Sequence, residues 1–462
     1  VTINGELIGY TVTAGTIVLK EESEKEGAAE GHKARATVFF VAYTRDAASP
    51  AARPITFAFN GGPGSSSVWL HLGVLGPRRV LFSDEGWPLP PPYRLVENSY
   101  SLLDVTDLVF IDPVSTGYSR VVPGEKPKEF HNFSKDIESV GDFIRLYTSR
   151  YHRWSSPKYL AGESYGTTRA AGLSGYLQDR HGMYLNGIML ISAVLNFQTL
   201  EFEHGNDMPY LFFLPTCTAT AWYHRRLAPD LQRDLRATLA EVEQFVYERY
   251  APALLRGRSL PATEREQIVA ALARYTGLSP DYVERSNLRI RDDRFVKELL
   301  RDTQRTVGRL DSRFTGIDRD AAGERTEYDP SYAAILGPYT ATLNDYLRTE
   351  LRFESDLAYE ILSGRVYPWS YDGHENRYVD VAETVRAAMT ANPALRVFVA
   401  SGYYDLATPY FATDYTLNQL ALPDDLYANI RVAYYEAGHM MYAHMPSLVQ
   451  LKEDLAEFVR SA

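Results

Sequence analysis

One cysteine, Cys217, stands in 462 residues, so no intramolecular disulfide can form. The fold must hold by packing alone, which a chain of this length permits. The surroundings of that cysteine, "FFLPTCTAT", contain nothing that would activate a thiol, and an ordinary packed thiol is expected. No apolar run reaches the roughly 18 residues of a membrane span, so none is expected. Long Lys/Arg runs are also missing and the formal net charge is −11. A nucleic-acid partner would need a basic footprint, so none is expected. Metal catalysis lacks its motifs. There is no H-E-x-x-H, "HENRY" at His374 has no second histidine on a helical face, and a cysteine-based zinc site cannot exist. No metal and no cofactor are expected. No signal segment is visible, yet the chain starts at Val1 rather than Met. The expectation is a secreted or periplasmic protein after signal-peptide removal, with a cytoplasmic one as the other option. The sequence is silent on oligomeric state.

What is present is a globular composition, 45% apolar. "GYTVTAGTIVLK", "ATVFFVAY" and "ITFAFN" read as strands, and polar Ser23–Lys33 as a hairpin connection. "DLVFID" reads as a buried parallel strand. Ile137, Val140, Ile144 and Tyr147 make one apolar helix face, with Ser134 as the expected cap. "KYLAG" then reads as strand, "ESYG" as a sharp turn, "TTRAAGLSGYLQDR" as helix and "GIMLISAVL" as strand. This alternation predicts an α/β fold with a central, mostly parallel sheet flanked by helices.

The character changes from about residue 200 to 365, where helix signals crowd in. Thr263–Glu266 reads as a capping box, Ser279-Pro280 as a cap with proline at the first helical position, and "FVKELLRDTQRTVG" as a helix closed by glycine. The expected organisation is a core over 1–199, a helical cap insertion over 200–365, and the rest of the core over 366–462. A separate helical domain is the alternative. "LRVFVASG" and "NIRVAYYEAGH" resume the strands, and "SLVQLKEDLAEFV" closes the chain as an amphipathic helix.

Three constellations carry chemistry. Gly162-Glu163-Ser164-Tyr165-Gly166 is a G-x-S-x-G pentapeptide between a strand and a helix, a setting that exposes a serine nucleophile on a tight turn. A serine needs a base, and in this fold class the partners follow in the order Ser, Asp, His. Asp405 and His439 each sit just past an apolar strand, where loops at the carboxyl edge of a sheet carry function. His131, His152, His181 and His224 lie in polar surroundings and are expected at the surface. Asn60-Gly61-Gly62-Pro63-Gly64 follows "ITFAF" and can aim a backbone N–H at an oxyanion, with the Tyr165 N–H as the second donor. A phosphate loop is excluded, because no Gly-Lys-Ser/Thr follows.

Together these blocks resemble the serine carboxypeptidases of the α/β-hydrolase fold. The matching segments are "FNGGPGSSS" (Phe59–Ser67), "LVFIDPVSTGYS" (Leu108–Ser119), "LAGESYG" (Leu160–Gly166), "ASGYYDLATP" (Ala400–Pro409) and "AGHMM" (Ala437–Met441), in the family's order. The resemblance implies a catalytic triad of Ser164, Asp405 and His439, oxyanion donors at Gly62 and Tyr165, and a peptide substrate whose terminal carboxylate meets Asn60, Gly61 and Glu163. A buried Glu163 facing that carboxylate must hold a proton, so binding is expected to be best at acid pH. An esterase or acyltransferase using the same triad is the alternative, and a non-catalytic scaffold a third reading. The chain departs from the family at several positions. Val74 stands where eukaryotic members carry a second glutamate, Ala58 replaces a tryptophan, and Tyr442 replaces a proline after the histidine. The missing disulfides suggest a bacterial member. These departures imply a weaker or differently built carboxylate site.

Overall fold

The computed structural model describes residues 1–46, 48–49 and 52–461. Its centre is a mixed sheet with main strands β1 (Tyr10–Lys25), β2 (Ala28–Arg45), β3 (Ile55–Phe59), β4 (Asp107–Ile111), β5 (Lys158–Ser164), β6 (Gly187–Ala193), β7 (Arg396–Gly402) and β8 (Ile430–Tyr435). The order across the sheet is β8-β7-β6-β5-β3-β4-β2-β1, and a short strand at Arg120–Val121 adds to β2. The β1–β2 and β2–β4 pairs are antiparallel, and the other neighbours are parallel. This is the mostly parallel, helix-flanked sheet that the alternation predicts.

The period of two along each strand sorts the core into two layers. Phe57, Leu160, Ile188, Leu190, Val397 and Val399 share one buried cluster with helices α1 (Phe133–Arg150) and α2 (Tyr165–His181). Ala58, Tyr159, Ala161, Met189 and Phe398 share the other with helices α3 (Pro330–Thr349) and α4 (Met445–Arg460). Burying each large apolar side chain stabilises the fold by about 1.5–3 kcal/mol. A third cluster lies between β6 and β7 in the chain. Phe212, Leu239, Leu272 and Phe295 come from four helices there and pack on Tyr403, Tyr404, Tyr410 and Phe411 from the loop and helix after β7. Cys217 is buried in this cluster, and burial pushes its thiol well up. Among the described residues, no helix is long and apolar enough to cross a membrane.

Several local expectations are corrected. Ser23–Lys33 is mostly strand, because β1 and β2 continue as a projecting hairpin that turns at Glu26-Gly27. Water wets this hairpin, so the apolar alternation that marks a strand is missing. Helix α1 starts one residue before Ser134, and Asn132 caps it by accepting from the Lys135 N–H at 2.8 Å. Thr263 lies inside the helix Ala262–Thr276, so the capping box does not form. Ser279 does cap, accepting from the Tyr282 N–H at 3.1 Å. The helix expected to run to Gly308 ends at Glu298, and Thr306–Val307 pairs with Thr315–Gly316. There the buried Lys297–Asp318 ion pair ties the helix end to the returning chain, so tertiary contact overrides helix propensity.

Candidate active site

Strand β5 ends on Ser164, and α2 starts at the next residue. Between them the backbone at Ser164 takes φ 58° and ψ −130°, a conformation that side chains other than glycine rarely adopt. This is the sharp strand-to-helix turn expected of G-x-S-x-G, and it lifts the serine into a cavity of about 750 Å³. Gly61 shows how close the second loop comes. A Cβ there would lie 2.4 Å from the Tyr165 nitrogen and 2.6 Å from that of Gly166. The glycine-rich turn thus crosses the first N–H groups of α2, at the positive end of the helix. Asn60, Gly61, Gly62, Glu163, Ser164, Tyr165 and His439 all line the cavity.

Asp405 lies behind it, fully buried. Its Oδ2 is 2.7 Å from His439 Nδ1. Thr408 Oγ1 donates to the same oxygen at 2.7 Å, and the Ala407 and Thr408 N–H groups hold Oδ1. The carboxylate is therefore fixed in both position and direction. Burial works against the His439 imidazolium, but the Asp405 charge and hydrogen bond outweigh it and raise the pKa above the usual 6.5. Among the described residues the Ser164 hydroxyl makes no hydrogen bond.

Glu163 is 3% exposed, and burial pushes its carboxyl up to about 7. The Tyr442 hydroxyl donates to Glu163 Oε2 at 2.5 Å. Asn60 stands beside Glu163, with its Oδ1 accepting from the Leu70 N–H at 3.1 Å. Its Nδ2 is buried and has no partner at hydrogen-bonding geometry among the described residues. Glu163 and His439 act on each other's charge, so they titrate as a pair.

The sequence did not reveal what holds the loops. Segment 309–312 lies between the loops that carry Asp405 and His439. The Leu406 N–H donates to the Arg309 carbonyl at 3.0 Å, and the His439 N–H to the Leu310 carbonyl at 2.7 Å. The Gly438 N–H donates to Asp311 Oδ2 at 3.2 Å, and the Ser312 N–H to the Tyr404 carbonyl at 3.0 Å. Behind the elbow, buried Arg169 donates to the Asn60 carbonyl at 2.5 Å and pairs with Asp136 at 2.9 Å. Asp112 accepts from both the N–H and the hydroxyl of Ser67, so "LVFIDPVSTGYS" braces the end of "FNGGPGSSS". These are long-range contacts with no local signal, although Asp112 and Ser67 both lie in blocks the resemblance marked.

Of the four histidines expected at the surface only His152 is exposed; His181 is half-buried, with Nε2 3.5 Å from Asp142 Oδ1, and two others are satisfied by distant loops. His131 is buried, with Nε2 2.9 Å from Ser115 Oγ. His224 is half-buried, with Nε2 2.7 Å from the Ser312 carbonyl. In both cases a loop from elsewhere in the chain satisfies the ring, which polar sequence surroundings do not reveal.

The family model described as serine carboxypeptidase matches residues 23–444. Serine carboxypeptidase-like 34 of Arabidopsis thaliana is 24% identical over 400 residues, covering 81% of this chain and 70% of that protein. Serine carboxypeptidase-like 33 of the same plant is 28% identical over 157 residues, 31% of this chain, and the match spans only 29% of that relative. The crystal structure of Kex1(delta)p, a prohormone-processing carboxypeptidase from Saccharomyces cerevisiae, shares the fold. Its TM-score is 0.57 at 16% identity, over 97% of this chain and 91% of that one. One family pattern thus runs from β1 past His439 and through the helical insertion, and the chain belongs to the serine carboxypeptidase family.

Proposed function

We propose that this protein releases C-terminal amino acids from peptides through an acyl-enzyme. The observation that carries the reading is buried Glu163 with the Asn60 side chain beside it, in the same cavity as Ser164 and His439. Glu163 is thus placed to meet a terminal carboxylate beside Ser164.

Ser164 attacks the last peptide carbonyl while His439 takes its proton, and Asp405 holds the imidazole in the required tautomer. The Gly62 and Tyr165 N–H groups receive the oxyanion. The amino acid departs with the proton from His439, and water then hydrolyses the ester. Asn60, the Gly61 backbone and protonated Glu163 bind the carboxylate. Within segment 200–365, the part before α3 acts as a cap that sets side-chain preference, since Phe202, Phe213, Arg291 and Arg309 line the cavity, whereas α3 packs in the sheet's own core layer.

A peptide carboxylate is ionised above about pH 4. Glu163 carries its proton below about 7. Free-acid peptides therefore bind best between these limits, and KM rises as Glu163 ionises. The test is release of amino acid from an N-acylated Phe-Leu and from its C-terminal amide across that range. Faster release from the free acid, with an advantage that fades toward alkaline pH, is expected. Equal rates, or cleavage of simple esters only, would overturn the reading in favour of an esterase or acyltransferase.

A further inference from the structure

Glu163 is gripped by a residue that the triad does not use. Tyr442 is as deeply buried as Glu163, and a tyrosine hydroxyl beside a carboxylate donates its proton. Its ring is held in place. A Cβ on Gly73 would fall 2.3 Å from Tyr442 Cε2 and 2.8 Å from Tyr339 Oη, so the glycine leaves the room that both rings occupy. The next residue, Val74, is apolar and fully buried in the core. The hydroxyl that donates to Glu163 Oε2 is therefore that of Tyr442. The other groups acting on Glu163 are His439 and Asp405 from the triad loops, Asn60 from the glycine-rich turn, and Tyr339 from α3.

We infer that Tyr442 is a specificity-determining positioning residue. By occupying Oε2 it leaves Oε1 as the oxygen that carries the proton and meets the terminal carboxylate of a free-acid peptide. The inference rests on the carboxypeptidase reading above. It has a pH signature of defined sign. A donor to the ionised carboxylate favours ionisation, so its removal keeps Glu163 protonated to higher pH.

Tyr442→Phe keeps the ring and removes the hydroxyl. For the free-acid peptide below the Glu163 limb, KM should rise about tenfold, the worth of one such hydrogen bond. The limb should move up by about one pH unit. On an ester without a free carboxylate the loss in kcat/KM should be far smaller than tenfold, measured above the His439 limb. In a Glu163→Ala background, with no side chain left to orient, the same substitution should add nothing to KM. Infrared difference spectra of the substrate-free protein should show the Glu163 carboxyl stretch displaced by Tyr442→Phe, a readout that needs no activity. An unmoved KM and limb would overturn the inference, as would additive effects in the Glu163→Ala background. So would a parallel loss on the ester, which marks a merely structural role. An unsubstituted protein with no preference for the free acid over its amide overturns the carboxypeptidase reading and this inference with it, and the infrared shift still reports the Tyr442–Glu163 link separately.

Discussion

Asp311 accepts a hydrogen bond at 3.2 Å from the N–H of Gly438, the residue just before His439. The contact is close. A Cβ on Gly438 would lie 2.5 Å from Asp311 Cβ, so only glycine fits against the strap. Asp311 also holds the buried Arg313 through two side-chain hydrogen bonds of 2.9 and 2.7 Å. The segment returning from the helical insertion thus splints the two loops that carry the imidazole and its carboxylate.

Asp311→Ala should therefore act at a distance on catalysis. It leaves the Arg313 guanidinium buried and unpaired, at a cost on the order of 3–5 kcal/mol of stability. A displacement of His439 on the order of 1 Å would lower kcat about a hundredfold. Urea unfolding checks the first effect. Steady-state kinetics with the low-field proton signal of the His439–Asp405 bond checks the second. An unaltered proton signal in a folded variant would sink the splint.

Glu163→Gln should remove the pH dependence of KM. In the unsubstituted protein the buried carboxyl is protonated below about 7, so KM for a free-acid peptide is lowest on the acid side and climbs as pH passes that value. A glutamine donates at every pH, so its KM profile should be flat. The kcat profile should keep its own limb. Because the His439 pKa is raised by Asp405 against the effect of burial, the neutral base is lost as pH falls through that raised value. KM and kcat measured separately across the range decide this, and a limb in KM that survives the substitution would count against Glu163.

Ser164→Gly should abolish turnover and yet stabilise the fold. At φ 58° and ψ −130° the serine backbone is strained, and glycine adopts this region at little cost. A gain of about 1 kcal/mol is expected, less glycine's greater loss of chain entropy, whereas Ser164→Ala keeps the strain and gains nothing. Thermal unfolding of the two variants side by side measures the difference, and equal Tm values would show that the elbow stores no strain.

Much of the architecture was legible because it is written in local chemistry. Short apolar runs mark "KYLAG", "GIMLISAVL" and "LRVFVASG" as strands, and the structure sorts Leu160, Ile188 and Val397 into one layer. Glycines at 162 and 166 mark the turn around Ser164. Local rules failed where two neighbouring residues could fill one role, or where a tertiary contact competed with them. Asn132 rather than Ser134 caps α1, and the Lys297–Asp318 pair ends a helix that propensity would extend.

The sequence by itself determined the order of strands and helices, the elbow with its glycine-rich neighbour, and the family blocks along the chain. Each rests on residues close together in the chain, where spacing and side-chain size act directly on the backbone. Tertiary structure alone decided what surrounds those groups. Tyr442 meets Glu163 across 279 positions, and Asp311 meets Gly438 across 127. No periodicity records such contacts, because they depend on how the layers and the insertion pack. The same packing buries Glu163 and raises its pKa, a shift set by desolvation and by the charges folded around it.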